Sequence, residues 1–294
     1  MIAPAAHARH NMGMTNRRQF LGTLSAAAAA AALPRTLRAR ALREHLGPLG
    51  VQLYTVRSEM AKSVERTLAA VAKAGYREVE FAGYFGREPS ALRAQLDALR
   101  LTAPSVHVGI ELLESDWAAQ VAAAKVIGHQ TLIVPSVDRR KLPALADWKA
   151  LAARFNALGR KAAGEGLRVG YHNHNFEFPP LAGGARPYDI LLGETDPALV
   201  DFEMDIYWIS DAGGDPLAYF AKYPHRFRAV HAKDGGPRPA FEMRDVGAGT
   251  IDWKAIFAHR AQAGIEHVFV EHDQPKDPFA SIEASAKYLK SLEF

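Results

Sequence analysis

Four short stretches in the second half of this 294-residue chain end in side chains that bind metals. They are Tyr171-His172-Asn173-His174, Glu203-Met204-Asp205, His231-Ala232-Lys233-Asp234 and Glu271-His272-Asp273. Each closes or interrupts an apolar run that reads as a β-strand, and each lies about one βα unit from the next. Side chains alternate faces along a strand, so His172 shares a face with His174, Glu203 with Asp205, His231 with Lys233 and Glu271 with Asp273. Ionisable side chains are rarely buried unless paired or bound to metal, so four consecutive strands ending in such pairs are poorly explained by packing. One His, Asp, His, Glu set, His172, Asp205, His231 and Glu271, is therefore expected to hold one divalent ion. The chain has no cysteine, which excludes thiolate ligands and disulfides. Imidazole and carboxylate together suit Mn²⁺, Zn²⁺, Co²⁺ or Fe²⁺ better than Mg²⁺ or Ca²⁺.

The elements that must position these residues alternate along the chain. Strand-like segments fall at 51–56, 78–82, 103–108, 131–135, 167–174, 200–208, 227–233 and 267–272. Amphipathic segments lie between them, among them 63–74, 148–163 and 253–263. Gly75, Gly128, Gly166 and Gly264 sit where helix C-caps are needed, and Asp147, Asp252 and Asp277 where N-caps are. Eight such units predict an α/β fold, a (β/α)₈ TIM barrel, with its chemistry at the C-terminal mouth. A doubly wound sheet is the alternative, but no G-x-G-x-x-G follows the first strand.

The N-terminus has a different character. Residues 1–41 carry six arginines and no acid. Asn16-Arg17-Arg18-Gln19-Phe20-Leu21-Gly22 leads into the alanine run 26–32, and Ala39-Arg40-Ala41 offers a cleavage site. This order of regions resembles a twin-arginine signal, which predicts export to the periplasm and a single barrel domain over residues 42–294. The apolar run is too short to span a bilayer. The formal charge of +4 is due to this segment; without it 30 basic side chains face 32 acidic ones. A slightly acidic body argues against nucleic acid as a partner.

Further residues are candidates for contacts around the ion. Glu80 and His107 end the second and third strands and, with Trp208, are expected to touch substrate. Glu177 and Lys233 join His174 and Glu271 as candidate proton-transfer groups, although a surface pair between Lys233 and Asp234 is the plainer reading of that lysine. Gly247-Ala248-Gly249 reads as a turn whose N–H groups suit an anion.

From Gly50 to Leu292 the chain resembles the xylose-isomerase-like barrel superfamily, in its sugar phosphate isomerase/epimerase branch. The stretches 171–178, 203–208, 231–234, 246–252 and 270–273 carry the resemblance. It implies one divalent ion on Asp205, His231 and Glu271, with His172 standing where those epimerases have a glutamate. In the epimerases two glutamates move the proton; here only Glu271 matches, so His174, Glu177 or Lys233 must supply the second group. The family leans to Mn²⁺ and the extra histidine to Zn²⁺. The implied activity is isomerisation or epimerisation of a sugar or sugar derivative. The ion polarises a carbonyl, a base removes the neighbouring proton, and an enediolate forms. Loss of a β-substituent from the same intermediate makes the enzyme a lyase or hydratase on a keto-sugar. Export argues against a phosphorylated substrate. A non-catalytic sugar-binding barrel is a third reading, opposed by the intact carboxylates. An endonuclease IV-like activity would need more ligands and a basic groove.

Overall fold

A computed structural model describes residues 45–294; the expected export segment at 1–41 lies outside the described residues. Eight strands form the frame. They are β1 (Gly50–Gln52), β2 (Glu78–Phe81), β3 (Thr102–His107), β4 (Thr131–Val134), β5 (Arg168–His172), β6 (Val200–Asp205), β7 (Phe227–Ala232) and β8 (His267–Val270). All pair in parallel in cyclic order, and β1 pairs with both β2 and β8, so the sheet closes. The fold is a TIM barrel, and closure rules out the open doubly wound sheet.

Local sequence explains most boundaries. The first long helix, Val64–Ala74, starts at Ser63, whose hydroxyl accepts from Arg66 N at 3.2 Å, and ends at Gly75 in the left-handed region. Asp252 and Asp277 cap helices as expected, accepting from Ala255 N and from Phe279 and Ala280 N. Asp147 does so differently. The helix begins at Leu145, three residues earlier than its apolar spacing suggests, and Asp147 reaches back from inside the first turn to Ala144 N. The expected helix 253–263 is broken at His259 into Trp253–Ala258 and Arg260–Ala263. The expected strand 200–208 runs three residues too far: Asp205 ends β6, accepts from Trp208 N at 2.9 Å and so starts the helix Ile206–Asp211. No described helix is long and apolar enough to cross a membrane.

Register sets the site. In β5–β6 His172 lies beside Glu203, and in β6–β7 Asp205 lies beside His231. Glu271 follows the last residue of β8, where its N–H still bonds to Ala232 O. Four adjacent strands thus present their ends side by side, above inward-facing buried residues such as Gln52, Ser105, Ile133 and Phe269.

Candidate active site

His172, Asp205, His231 and Glu271 converge: one ligand atom from each lies within 4.8 Å of all the others, and all four residues are buried. His172 Nδ1 bonds to the Pro135 carbonyl at 3.1 Å. That contact fixes Nδ1 as the donor and turns the Nε2 lone pair toward Asp205 Oδ2, 3.4 Å away. His172 Nε2 is buried with no hydrogen-bond partner, and so is Asp205 Oδ2 by hydrogen-bond geometry, although Lys233 Nζ stands 2.9 Å from that oxygen. Buried, unsatisfied donor and acceptor atoms are rare, and two facing one another are what a divalent ion would satisfy. The donor chemistry, two imidazole nitrogens and two carboxylate oxygens, fits such an ion.

Lys233 is nothing like a surface residue. It is 1% exposed, and Nζ contacts Asp205 Oδ2 at 2.9 Å, Glu271 Oε2 at 2.7 Å and Asp273 Oδ1 at 2.8 Å. Burial opposes its charge, but the three carboxylates outweigh burial and raise its pKa, so the ammonium persists at any working pH. Burial likewise opposes ionisation of Glu271, and Lys233 and His231 overcome it, holding the carboxyl well below the usual range. The expected partner, Asp234, faces the other way. It accepts from Gly235, Gly247 and Ile251 N–H groups and from Trp253 Nε1. The anion held by the Gly247-Ala248-Gly249 turn is therefore Asp234 itself. A Cβ on Gly249 would stand 2.1 Å from its Oδ1, so only glycine fits there.

His174 and Trp208 line the mouth as expected. The His174 imidazole is pushed down to about 3, first by burial and then by His172, and its buried Nδ1 has no partner. It is a neutral ring that resists protonation and leaves Nδ1 free to accept a hydrogen bond. Trp208 packs against it with ring centroids 5.6 Å apart, and Lys233 Nζ lies 5.6 Å from the Trp208 ring. With His107, His172, Lys233 and Glu271 they border a cavity of about 840 Å³. Its outer part is lined by Arg57, Tyr84 and Leu112.

Two expected site residues sit elsewhere. Glu177 does not reach the cavity. It is fully buried behind the β5 end, where Oε1 accepts from Tyr171 OH at 2.6 Å and both oxygens accept from His174 N at 3.0–3.1 Å. A sequence five residues past the strand end looks like loop, but the chain folds back to place the carboxylate under its own backbone. Glu177 therefore positions His174. Burial pushes its carboxyl up to about 7. A folded pKa above the unfolded value means stability present below about pH 4.5 and lost as pH rises toward 7. Glu177→Gln, which keeps the acceptor and removes the titration, should flatten the urea-midpoint profile between about pH 4.5 and 7 and leave kcat within about tenfold. An unchanged profile would discount the burial, and a larger loss of kcat would restore Glu177 to the chemistry.

Glu80 also does not line the cavity. It is fully buried on the far side of His231, where Oε2 meets His231 Nε2 at 2.7 Å and Gln52 Nε2 at 2.8 Å, and Oε1 accepts from Ser105 Oγ at 2.6 Å. Its position on β2 points inward, but the neighbouring strands raise the ligands above it. His107 does border the cavity, and its Nε2 also touches Glu203 Oε2 at 2.9 Å and Glu80 Oε2 at 3.2 Å. Glu203 is the residue that sequence reading passed over. Its place two residues before Asp205 put it on the same face, which was the available signal. Asn173 is another: its side chain brackets Asp205 N and O and ties the β5 and β6 ends together.

The chain has recognisable relatives. The family profile described as "Xylose isomerase-like TIM barrel" matches residues 68–292. The chain belongs to the xylose isomerase-like TIM barrel family. An inosose dehydratase of Lacticaseibacillus casei is 27% identical over 277 residues, covering 79% of this chain and 91% of that protein. A crystal structure of a sugar phosphate isomerase/epimerase from Parabacteroides distasonis superimposes with a TM-score of 0.74 at 26% identity, covering 83% of this chain and 93% of that one. A more distant structure, the IolI protein with a bound zinc atom, shares the fold with a TM-score of 0.62 at 13% identity, covering 83% of this chain and 96% of that one. The chain is an enzyme of the sugar isomerase/epimerase-like group, a group whose relatives include lyases.

Proposed function

We propose that this enzyme is a metal-dependent lyase that removes water from a keto-sugar or keto-cyclitol, beginning with loss of the proton beside the carbonyl. The convergence of His172, Asp205, His231 and Glu271, of which His172 and Glu271 line the cavity, with the Lys233 ammonium touching two of them, carries the reading. These four residues would hold a divalent ion, Mn²⁺ or Zn²⁺ by donor type. Such an ion, when bound, polarises a carbonyl and an adjacent hydroxyl and so acidifies the α-carbon. The rest is work for the chain's own groups. Glu271 borders the cavity and takes the α-proton. The electron pair left on carbon forms the double bond as the β-carbon–oxygen bond breaks, and the hydroxide leaves as water. Glu271, now carrying the α-proton, returns it to the departing hydroxyl, and the Lys233 ammonium beside it keeps its charge and steadies the negative charge that develops. His174, neutral and with a bare Nδ1, is placed to accept a hydrogen bond from a substrate hydroxyl. Trp208 offers an apolar face for the C–H side of a ring.

The same first step followed by proton return is isomerisation or epimerisation, and the Parabacteroides distasonis neighbour supports that second reading. Against a two-base epimerase, the fifth-strand position holds His172, and Lys233 is a donor that does not give up its charge. Product analysis separates the two. Metal-loaded protein incubated with a panel of free keto-sugars and inososes should yield an unsaturated or deoxy-diketo product by NMR and mass spectrometry. Products of unchanged mass would replace the lyase reading by the isomerase one.

The location follows from Arg17 and Arg18. Replacing both with lysine should leave the protein in the cytoplasm. Recovery of the variant in the periplasm at wild-type level would contradict twin-arginine export.

A further inference from the structure

The geometry points to a second divalent-cation site, on the other side of the His231 ring from the first and sharing that histidine with it, formed by Glu80, His107, Glu203 and His231. Their donor atoms alternate oxygen and nitrogen in a closed ring. Glu80 Oε2 is 2.7 Å from His231 Nε2, which is 3.1 Å from Glu203 Oε2; that oxygen is 2.9 Å from His107 Nε2, which is 3.2 Å from Glu80 Oε2. All four atoms fall within 4.8 Å of one another. Donors about 2.0–2.2 Å from a shared Zn²⁺ stand roughly 3 Å from their neighbours, which is the spacing found here.

Two further observations point the same way. Glu203 is fully buried and its Oε1 has no hydrogen-bond partner, so this carboxylate is under-used by the protein. Glu80 is held from behind by Ser105 Oγ and Gln52 Nε2, an outer layer of the kind that orients a ligating carboxylate. His107 borders both the ring and the cavity, giving an entry route from the mouth. His231 would use Nδ1 toward the first ion and Nε2 toward the second, so its ring, after releasing its N–H proton to solvent, would link them as an imidazolate. The composition, two imidazoles and two carboxylates without thiolate, suits Zn²⁺ or Co²⁺. The second ion would neutralise two carboxylates that are otherwise buried together, and would fix the ring that serves the first.

The test is a count of ions. The purified protein is loaded with Zn²⁺, desalted and measured by elemental analysis, with anomalous diffraction at the zinc edge for placement. Two ions per chain are expected. His107→Gln and Glu203→Gln should each lower the count to one and retain the peak between His172 and Asp205. His172→Asn should remove that peak and retain the one between Glu80 and Glu203. One ion per chain in the wild-type protein, with no density in the Glu80 ring, overturns the proposal and leaves protons holding those four groups together. The wild-type measurement needs no variant to fold. If the wild-type protein holds only one ion, its loss in His172→Asn with retention in His107→Gln sustains the first site and rejects the second, and the opposite pattern does the reverse.

Discussion

Glu271→Gln should lower kcat by about 10²–10⁴, measured at saturating metal, while the fold is kept. The change is nearly isosteric, but it removes the carboxylate that both touches the ion-binding cluster and borders the cavity. Two effects then combine. The amide is a weaker ligand, so metal affinity falls, and it cannot accept the α-proton, so turnover falls even when the ion is bound. Titrating Mn²⁺ or Zn²⁺ separates them: added metal recovers the first loss and not the second. His174→Asn is the companion. If the bare Nδ1 takes part in proton transfer, this variant loses turnover and binds metal normally. Wild-type kcat in His174→Asn would leave the ring as a wall of the cavity and place the whole burden on Glu271. Full recovery of Glu271→Gln by metal would show that this residue is a ligand only.

Lys233→Met should cost about 3–5 kcal/mol of stability, the usual result of removing one partner from a buried ionic cluster. The stem is 1% exposed and its ammonium stands within 2.9 Å of Asp205, Glu271 and Asp273. Methionine matches the apolar volume and leaves three carboxylates facing one another. Urea unfolding in the presence of chelator reads the loss directly. Saturating divalent metal should restore part of it, because a cation near Asp205 and Glu271 replaces some of the missing charge. A variant as stable as wild type would mean that the three carboxylates are adequately solvated from the cavity, contrary to their burial. Activity should fall as well, since no other cationic donor borders that side of the cavity among the described residues.

The barrel was legible because each strand is a short apolar run closed by punctuation, and because parity along a strand is a geometric rule. Parity predicted that His172, Asp205, His231 and Glu271 each point inward, and register then placed His172 beside Glu203 and Asp205 beside His231. Sequence alone did not reveal depth. Glu80 and Glu203 obey the same parity as the mouth residues, yet lie one layer lower: Glu203 because it precedes Asp205 by two residues on β6, Glu80 because height also depends on the stagger of neighbouring strands. Chain reversals were equally hidden. Nothing in the order of residues shows that Glu177 turns back beneath His174, whereas alternation, which puts Lys233 on the face of His231, already turns Asp234 the other way. The strand overrun at 206–208 has a nameable cause: Ile206, Tyr207 and Trp208 have β-forming side chains, and the Asp205 cap overrides them. The residues at 1–41 remain a matter of sequence pattern.

The most direct test is deuterium exchange at the carbon beside the carbonyl. Protein is incubated in D₂O with an inosose or a keto-sugar that is turned over, in three forms: metal-loaded, stripped by chelator, and metal-loaded Glu271→Gln. Deuterium at that carbon, or its loss with elimination, is expected in the first form alone, and is expected to return when Mn²⁺ or Zn²⁺ is added back to the second. Equal exchange in the stripped protein, or in Glu271→Gln, would contradict proton abstraction by Glu271 at a metal centre built from His172, Asp205, His231 and Glu271.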